Sequence, residues 1–372
     1  MTNLDMLYRD FGQSPWLDNI RRDWLKDGTL KAFVDQGVRG VTSNPSIFAK
    51  ALSTTSAYNE FLLKNHRQEP EELFETVAVY DVRDACGVLA KVHESSRKDF
   101  KAGTRRYLDG FVSLEVSPHL ARDTEGTIAA AKRLHKRVGC DNLMVKIPAT
   151  KEGLPAITQV LGAGISVNVT LIFSVGRYAE VLDAWMSGLE LARSRRRDVG
   201  AIASVASFFV SRVDAAVDAL LLEGDPRRGT TANAQVCAAY KLYADTIGAD
   251  RARGLIAKGA QVQRPLWAST STKNPSYFDL LYVDPIVGNE TVNTMPDQTL
   301  EAVLDHGRFW ATHLSSYEKV AREAKKLEFL PPFVSLAAVT EKLERDGVDA
   351  FVKSYEECLA IVGEKAATAR GR

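Results

Sequence analysis

The fold prediction rests first on N-L-M-V-K-I-P-A-T, residues 142–150. It is an apolar run with turn signals on both sides, which is typical of a parallel strand covered on both faces. It also contains Lys146, and an ionised lysine in such a strand is costly unless another group pairs with it. Lys146 could lie at a strand end and keep its ammonium in water. Alternatively, its partly desolvated amine could attack a carbonyl and form a Schiff base.

On either side of this strand, short apolar runs alternate with amphipathic helical stretches. Repeated βα alternation predicts a parallel sheet or barrel, and α/β barrels commonly exceed 250 residues as one domain. The predicted strands cover residues 14–20, 40–44, 110–116, 142–150, 166–172, 202–210, 265–270 and 291–295. Eight such strands predict an α/β fold, a (β/α)8 TIM barrel.

Two helical regions are additional to this repeat. The first, residues 46 to about 100, forms an elongated crossover between the second and third strands, and the second begins at Asp297. No linker or low-complexity segment marks a domain boundary. We therefore expect residues 1–372 to form a single barrel domain, with C-terminal helices at about 308–372 packed on it.

Composition narrows the class of function. The 372 residues are 45% hydrophobic and 26% charged with a formal net charge of +1, which gives no electrostatic reason to expect nucleic-acid binding. The N-terminus has no apolar signal region and no run of 18 apolar residues occurs, so export and membrane spanning are disfavoured. The four cysteines form no C-x-x-C pair, which argues against a zinc site or a disulfide framework. We expect a cytoplasmic protein with a small-molecule partner, either a monomer or a homodimer.

The alternation of side chains along each strand predicts that polar residues share one face of the barrel. Because successive strand side chains point to opposite faces, odd and even positions separate into two sets. The apolar set on the fifth strand is Val167, Val169 and Leu171. The predicted inward set consists of Asp18, Thr42, Asn44, Glu115, Lys146, Asn168 and Thr170. These residues lie late in their strands, where barrel enzymes build active sites, and an interior that served stability alone would be Val, Ile and Leu.

Each member of this inward set also has a purely structural interpretation. Asp18 could cap a following helix, and Asn44 could shape a turn. Glu115 could balance the charge of the lysine, while Asn168 and Thr170 could face solvent in a half-exposed strand. Their shared parity favours a site centred on the lysine.

Four motifs then carry a specific likeness to a known family. They are V-T-S-N-P-S-I-F (41–48), S-L-E-V (113–116), N-L-M-V-K-I-P-A-T (142–150) and S-V-N-V-T-L-I-F-S (166–174). Together, and in this order, they resemble the transaldolase family across most of the chain. The resemblance implies a TIM barrel of the class I aldolase type, in which Lys146 on the fourth strand forms a Schiff base with the substrate. The chemistry it implies needs no metal and no cofactor.

The resemblance also implies roles for the neighbours of Lys146. Asp18 matches the acid/base that takes the C4 hydroxyl proton as the C3–C4 bond breaks. Glu115 matches the carboxylate that works through a water, held with Thr170, while the carbinolamine forms and dehydrates. Asn44 and Asn168 match the amides that hold the hydroxyls of the bound three-carbon unit. Thr42 is expected to bind substrate beside them.

Two further motifs match the family's phosphate-binding end. S-F-F-V-S-R (207–212) is similar to the family's S-P-F-V-G-R, and A-S-T-S-T-K (268–273) to its A-S-F-R. The residues carried over are Ser207, Phe209, Arg212 and Ser269. The second arginine of the family pattern is replaced by Ser271, which leaves Lys273 as the candidate cation without an arginine's fork geometry.

The resemblance therefore implies a transaldolase of the pentose phosphate pathway. Such an enzyme moves a dihydroxyacetone unit from sedoheptulose 7-phosphate or fructose 6-phosphate to glyceraldehyde 3-phosphate or erythrose 4-phosphate. One alternative is a stand-alone aldolase that releases dihydroxyacetone, although its small relatives are much shorter. The other is a catalytically silent sugar-phosphate sensor, which would not need to keep the lysine and both carboxylates.

Overall fold

Seven parallel strands form one curled sheet surrounded by helices. In the computed structural model, which describes residues 1–310 and 312–370, the strand order is β1-β7-β6-β5-β4-β3-β2. The strands are β1 Gln13–Leu17, β2 Val112–Glu115, β3 Leu143–Pro148, β4 Val167–Ile172, β5 Ser204–Phe209, β6 Arg264–Ala268 and β7 Thr291–Met295. The prediction of a parallel α/β sheet is confirmed.

The predicted second strand, residues 40–44, is not a strand of this sheet. Val41 instead forms isolated parallel bridges with Leu17 on one edge strand and Val112 on the other. Its N–H donates to Phe111 O at 2.9 Å, and Thr42 N donates to Leu17 O at 2.9 Å. The extended segment is short because a helix begins at residue 45. This segment connects the two edges of the sheet without adding a regular strand.

Gly40 is required where this segment passes the sheet. A Cβ at this position would lie 2.4 Å from two indole carbons of Trp16, which is fully buried. A side chain here would therefore displace either the indole or the backbone that joins β1 to β2.

The helices lie outside the sheet and across one end of it. They are α1 Asn3–Arg9, α2 Arg22–Asp27, α3 Thr29–Asp35, α4 Pro45–Thr54, α5 Asn59–Lys64, α6 Pro70–Lys101, α7 Thr124–Val138, α8 Gly153–Gly162, α9 Val175–Ser194, α10 Ser211–Asp218, α11 Thr231–Gly248, α12 Asp250–Ile256, α13 Asp297–His306, α14 Tyr317–Ala324 and α15 Leu336–Arg370. The long crossover thus consists of three helices, α4 to α6. None of the helices in the described ranges combines the length and the hydropathy needed to span a bilayer.

The amino ends of the strands are closed by a buried ion pair. The Arg264 guanidinium lies 3.3 Å from the Asp109 carboxylate, and both side chains are almost fully buried. Arg264 also donates to Ser14 Oγ at 2.7 Å, and Asp109 accepts from Trp16 Nε1 at 2.9 Å. Each charge is hydrogen-bonded, so this buried ion pair fills the amino end of the sheet. An active site is therefore expected at the opposite, carboxyl end.

Helix α15 crosses the carboxyl ends of the strands. Ser354 on α15 shares a 2.8 Å hydrogen bond with Ser46 on α4, and Glu344 lies 3.4 Å from Arg177 on α9. Further along, Cys358 Sγ donates to Pro45 O at 3.3 Å. The helix is therefore held at several points along its length.

Candidate active site

A cavity of about 310 Å³ opens at the carboxyl ends of the strands, below α15. Ten of the twelve predicted site residues line it: Asp18, Thr42, Asn44, Lys146, Thr170, Ser207, Phe209, Arg212, Ser269 and Lys273. The other two, Glu115 and Asn168, lie beside and beneath it. Within the described ranges, no three His, Cys, Asp or Glu side chains are grouped so as to hold a metal ion.

Lys146 is buried at the centre of the site. Lys146 is only 4% exposed, and its Nζ donates to Ser43 O at 3.1 Å. The nearest carboxylate is Glu115, whose Oε2 lies 4.0 Å from Nζ. The interpretation of Lys146 as a strand-end residue with its ammonium in bulk water is wrong, because the amine lies inside the cavity wall.

Three adjacent strands place the central residues side by side. In the parallel register Glu115 of β2 is opposite Lys146 of β3, and Lys146 is opposite Asn168 of β4. Asn168 is fully buried, donates to Ser113 Oγ at 2.9 Å and accepts from Ser207 Oγ at 2.7 Å. Its amide therefore lies in a polar layer beneath the cavity, and the alternative that it faces solvent is wrong.

Glu115 is a carboxyl of the site with a strongly raised pKa. Burial raises its pKa from the usual 4.5 to about 7, with the Lys146 ammonium opposing this and the Asp18 charge adding to it. Its Oε2 accepts no hydrogen bond from any residue that the structure describes. Glu115 lines a second cavity of about 30 Å³, which Ser117 and Tyr355 also line and which has room for a water molecule. The carboxyl is therefore poised to change protonation near neutral pH.

Asp18 follows β1 directly and faces the same cavity. Its carboxylate accepts a 2.6 Å hydrogen bond from Thr42 Oγ1, which also contacts Thr294 Oγ1 at 2.6 Å. Burial raises the pKa of Asp18, although Lys146 and the Thr42 hydrogen bond act in the opposite direction. The next helix, α2, has Arg21 at its N-cap, so the interpretation of Asp18 as a helix cap is wrong.

Asn44 caps a helix, whereas the structural alternative drawn from the sequence was that it shapes a turn. It is the N-cap of α4, and its Oδ1 accepts from Ile47 N at 3.0 Å. With Pro45 at the first helical position, this is a standard helix start. Asn44 also lines the cavity, so one side chain both fixes the helix and faces the site.

Thr170 faces the cavity, but the parity of its strand changes at the next residue. Leu171 has a left-handed φ of +59°, and the β4–β5 register shifts between Val169 and Ile172. The irregularity turns Leu171 towards the apolar cluster under α15, which also contains Phe173. The prediction that Leu171 shares a face with Val169 is therefore wrong. Thr170 is fully buried, and its Oγ1 has no hydrogen-bond partner among the described residues.

Cationic side chains lie at the outer part of the cavity. The Arg212 guanidinium carbon lies 5.5 Å from the centre of the Phe209 ring, and burial lowers the pKa of Arg212. Lys273 is exposed and donates to Ser271 Oγ at 2.9 Å. Partial desolvation of its amine at the cavity mouth and the nearby Arg212 charge lower the pKa of Lys273, although the residue as a whole is exposed. Both cations remain available for an anionic group.

The loop after β6 supports this cationic end. Ser269 has a left-handed φ of +56°, and its Oγ lies 3.0 Å from Ser211 Oγ. Since β6 ends at Ala268, the predicted strand to residue 270 was too long. This turn places Ser269 in the cavity wall.

Several residues in or beside the cavity were missed by sequence reasoning. Ser43 contributes a backbone carbonyl to Lys146, which no residue type can reveal. Thr294 follows the parity rule on β7 and could have been found from it. Phe351 comes from a helix 205 positions beyond Lys146, and Lys50 and Asp297 come from helices α4 and α13.

Comparison with known proteins places this chain in a family. A family model described as transaldolase/fructose-6-phosphate aldolase matches residues 15–362. This chain belongs to that family. It is 45% identical to a transaldolase of Saccharopolyspora erythraea over 371 residues, 98% of each chain. It is 47% identical to a transaldolase of Thermobifida fusca, over 96% of this chain and 97% of that one. A transaldolase of Trichodesmium erythraeum is 38% identical over 98% of each chain.

For this transaldolase-family protein, Glu115 should leave a signature in the pH dependence of stability. Its pKa is higher in the folded state, so its stabilising contribution is complete below about pH 4.5 and is lost as the pH rises through about 7. We therefore expect Glu115→Gln to gain stability relative to the parent protein between pH 5 and pH 8. Urea unfolding of both proteins across this range measures the difference. A difference that does not change with pH would contradict the assigned environment of Glu115.

Proposed function

We propose that this protein transfers a dihydroxyacetone unit between sugar phosphates through a Schiff base on Lys146. The observation that carries the proposal is the position of the Lys146 amine, which is buried at the cavity wall with Glu115 4.0 Å away and Asp18 on the same cavity. A desolvated amine gives a nucleophile, and two separate carboxyls give independent proton transfers.

In the first step, Lys146 attacks the C2 carbonyl of fructose 6-phosphate or sedoheptulose 7-phosphate. The carbinolamine must then lose its hydroxyl as water, which needs a proton donor near C2. Glu115 acts as this proton donor through a water molecule that is held with Thr170. A carboxyl with a pKa of about 7 can both give and take a proton. Thr170 Oγ1 has no hydrogen-bond partner in the described part of the chain, which supports this role.

In the second step, Asp18 takes the proton of the C4 hydroxyl and the C3–C4 bond breaks. The electron pair flows into the iminium, so an enamine of the three-carbon unit remains on Lys146. The first aldose phosphate leaves. Glyceraldehyde 3-phosphate or erythrose 4-phosphate then enters, and the steps run in reverse. Asp18, held by Thr42, returns the proton to the new hydroxyl.

The remaining residues bind and orient the substrate. Asn44 and Thr42 hold hydroxyls of the three-carbon unit from the cavity wall, and Asn168 supports it from the polar layer below. The phosphate lies at the cationic end, which is formed by Ser207, Phe209, Arg212, Ser269 and Lys273. Arg212 supplies the planar fork, and Lys273 acts as a point charge where the family pattern has an arginine.

We extend the proposal to the barrel architecture and the domain organisation. The bridging segment at Val41 serves as the eighth strand of a (β/α)8 barrel, because it hydrogen-bonds to both edge strands. The chain is one domain, residues 1–372, with the C-terminal helices at about 308–372 packed on it. Ala311, Gly371 and Arg372 of that range lie outside the described residues. The protein acts in the cytoplasm, in the pentose phosphate pathway, as a monomer or a homodimer.

One assay separates this proposal from its alternatives. The purified protein is given fructose 6-phosphate and erythrose 4-phosphate, and sedoheptulose 7-phosphate and free dihydroxyacetone are measured together. We expect transfer to dominate. Release of dihydroxyacetone without transfer would indicate a stand-alone aldolase. Binding of fructose 6-phosphate without either product would indicate a sensor.

The cationic end gives a prediction about phosphate recognition. Replacing Arg212 by alanine should raise the KM for fructose 6-phosphate by about 10²-fold, because charge-assisted hydrogen bonds are lost. Lys273→Ala should raise it by about tenfold or less, since an exposed lysine contributes weakly. Turnover of unphosphorylated fructose serves as the control and should change little in either variant. An equal loss with both sugars would show that Arg212 does not bind the phosphate.

A further inference from the structure

One aromatic side chain covers the amine of Lys146. Phe351 on α15 lines the active-site cavity, is 5% exposed, and its ring centre lies 5.7 Å from Lys146 Nζ. At this distance the ring can interact with a cation on the nitrogen. The contact joins the reacting strand to the C-terminal helix, for which the family resemblance supplied no role.

The ring is fixed in this position from two sides. It belongs to an apolar cluster with Leu171, Phe173 and Val348, beneath the turn of α15 that contains Gly347. The hydrogen bond between Ser354 and Ser46 lies one turn further along the helix. Because α15 is held on both sides of Phe351, the ring is positioned beside the amine.

A covered amine matters most after the first aldose phosphate has left. The enamine on Lys146 then has two fates. It can attack the second aldehyde, which completes transfer. Alternatively, C3 takes a proton and gives an iminium, a water oxygen adds to C2, and the C2–N bond breaks to release dihydroxyacetone and the free lysine. The second route consumes one water, so its rate depends on water reaching C2.

We propose that Phe351 shields the lysine-bound three-carbon unit from water and so sets the ratio of transfer to release. An apolar ring offers water no hydrogen bond, and its removal would open space directly above the amine. The inference rests on the Schiff-base function proposed above. Phe351 takes no part in proton transfer, so it should affect the partition of the intermediate more than its formation.

The test compares Phe351→Ala with the parent protein in the combined assay for transfer and release. We expect the ratio of released dihydroxyacetone to transferred unit to rise by about tenfold, equivalent to about 1.4 kcal/mol. Borohydride labelling of Lys146 with fructose 6-phosphate should persist. Phe351→Leu keeps most of the apolar volume and should stay within about twofold of the parent ratio.

Val348→Ala is the matched control. Val348 lies on the same helix and in the same apolar cluster but does not line the cavity. Loosening of α15 alone would change both variants alike, whereas shielding predicts a changed ratio for Phe351→Ala only. An unchanged ratio in Phe351→Ala, or an equal change in Val348→Ala, would overturn the proposal. If Phe351→Ala does not fold, Phe351→Val replaces it: a ratio above that of Phe351→Leu would support shielding, and a ratio equal to that of the parent protein would overturn it. Loss of labelling in the parent protein would count against the Schiff base itself.

Discussion

Lys146→Met should lose at least about 10⁴-fold in transfer activity, because no other side chain in the cavity can form the covalent intermediate at this position. In the parent protein, borohydride reduction in the presence of fructose 6-phosphate should fix a three-carbon or six-carbon adduct to the peptide that contains Lys146. Peptide mapping by mass spectrometry locates it. Lys50 and Lys273 line the same cavity and act as internal controls, which should remain unlabelled.

The same substitution should not destabilise the fold. Lys146 is a buried amine whose nearest carboxylate is 4.0 Å away, and methionine fills a similar volume without a charge to desolvate. Glu115, with a pKa already near 7, can take up a proton when the ammonium is removed. We expect a Tm equal to or above that of the parent protein. An adduct that persists in Lys146→Met would show that the reacting lysine has been misidentified.

Asp18→Asn should separate formation of the adduct from its cleavage. The amide Oδ1 can still accept the hydrogen bond from Thr42 Oγ1, so the geometry is preserved, but the amide cannot take the C4 hydroxyl proton. We expect borohydride labelling of Lys146 at close to the parent rate, with cleavage slower by about 10²- to 10⁴-fold. Rapid-quench measurement of aldose phosphate release determines the cleavage rate.

Glu115→Gln is the reciprocal variant. It should slow formation of the adduct, because dehydration of the carbinolamine loses its acid, while an adduct already formed should cleave at a nearly normal rate. If Asp18→Asn slows labelling instead, or leaves turnover unchanged, Asp18 does not act as the base for C–C cleavage.

Parity predicted much of the site because it depends only on backbone geometry. Lys146 and Thr170 occupy the cavity wall as alternation requires. The same rule failed at Leu171, where a positive φ reverses the face within one strand. A bulge of this kind results from packing between strands and beneath α15, and a leucine gives no local signal for it.

Features that depend on distant contacts could not be predicted in the same way. The segment at Val41 has a strand-like sequence, but Asn44 already begins the next helix and leaves only an isolated bridge on each side. The carbonyl of Ser43 and the ring of Phe351 approach Lys146 through tertiary packing alone. Family resemblance supplied chemical roles, yet it assigned none to either of these two neighbours.

The position of α15 has a consequence for how the chain reaches its active form. The hydrogen bond between Ser46 and Ser354 joins residues 308 positions apart, so it closes a loop that contains most of the chain. All seven strands end before α15 begins, and contacts of such long sequence separation form late. We expect the sheet to assemble before the amine of Lys146 is covered. Pulse-labelled amide exchange during refolding would then show protection in β3 before protection in α15. Catalytic competence would therefore be acquired at the end of folding.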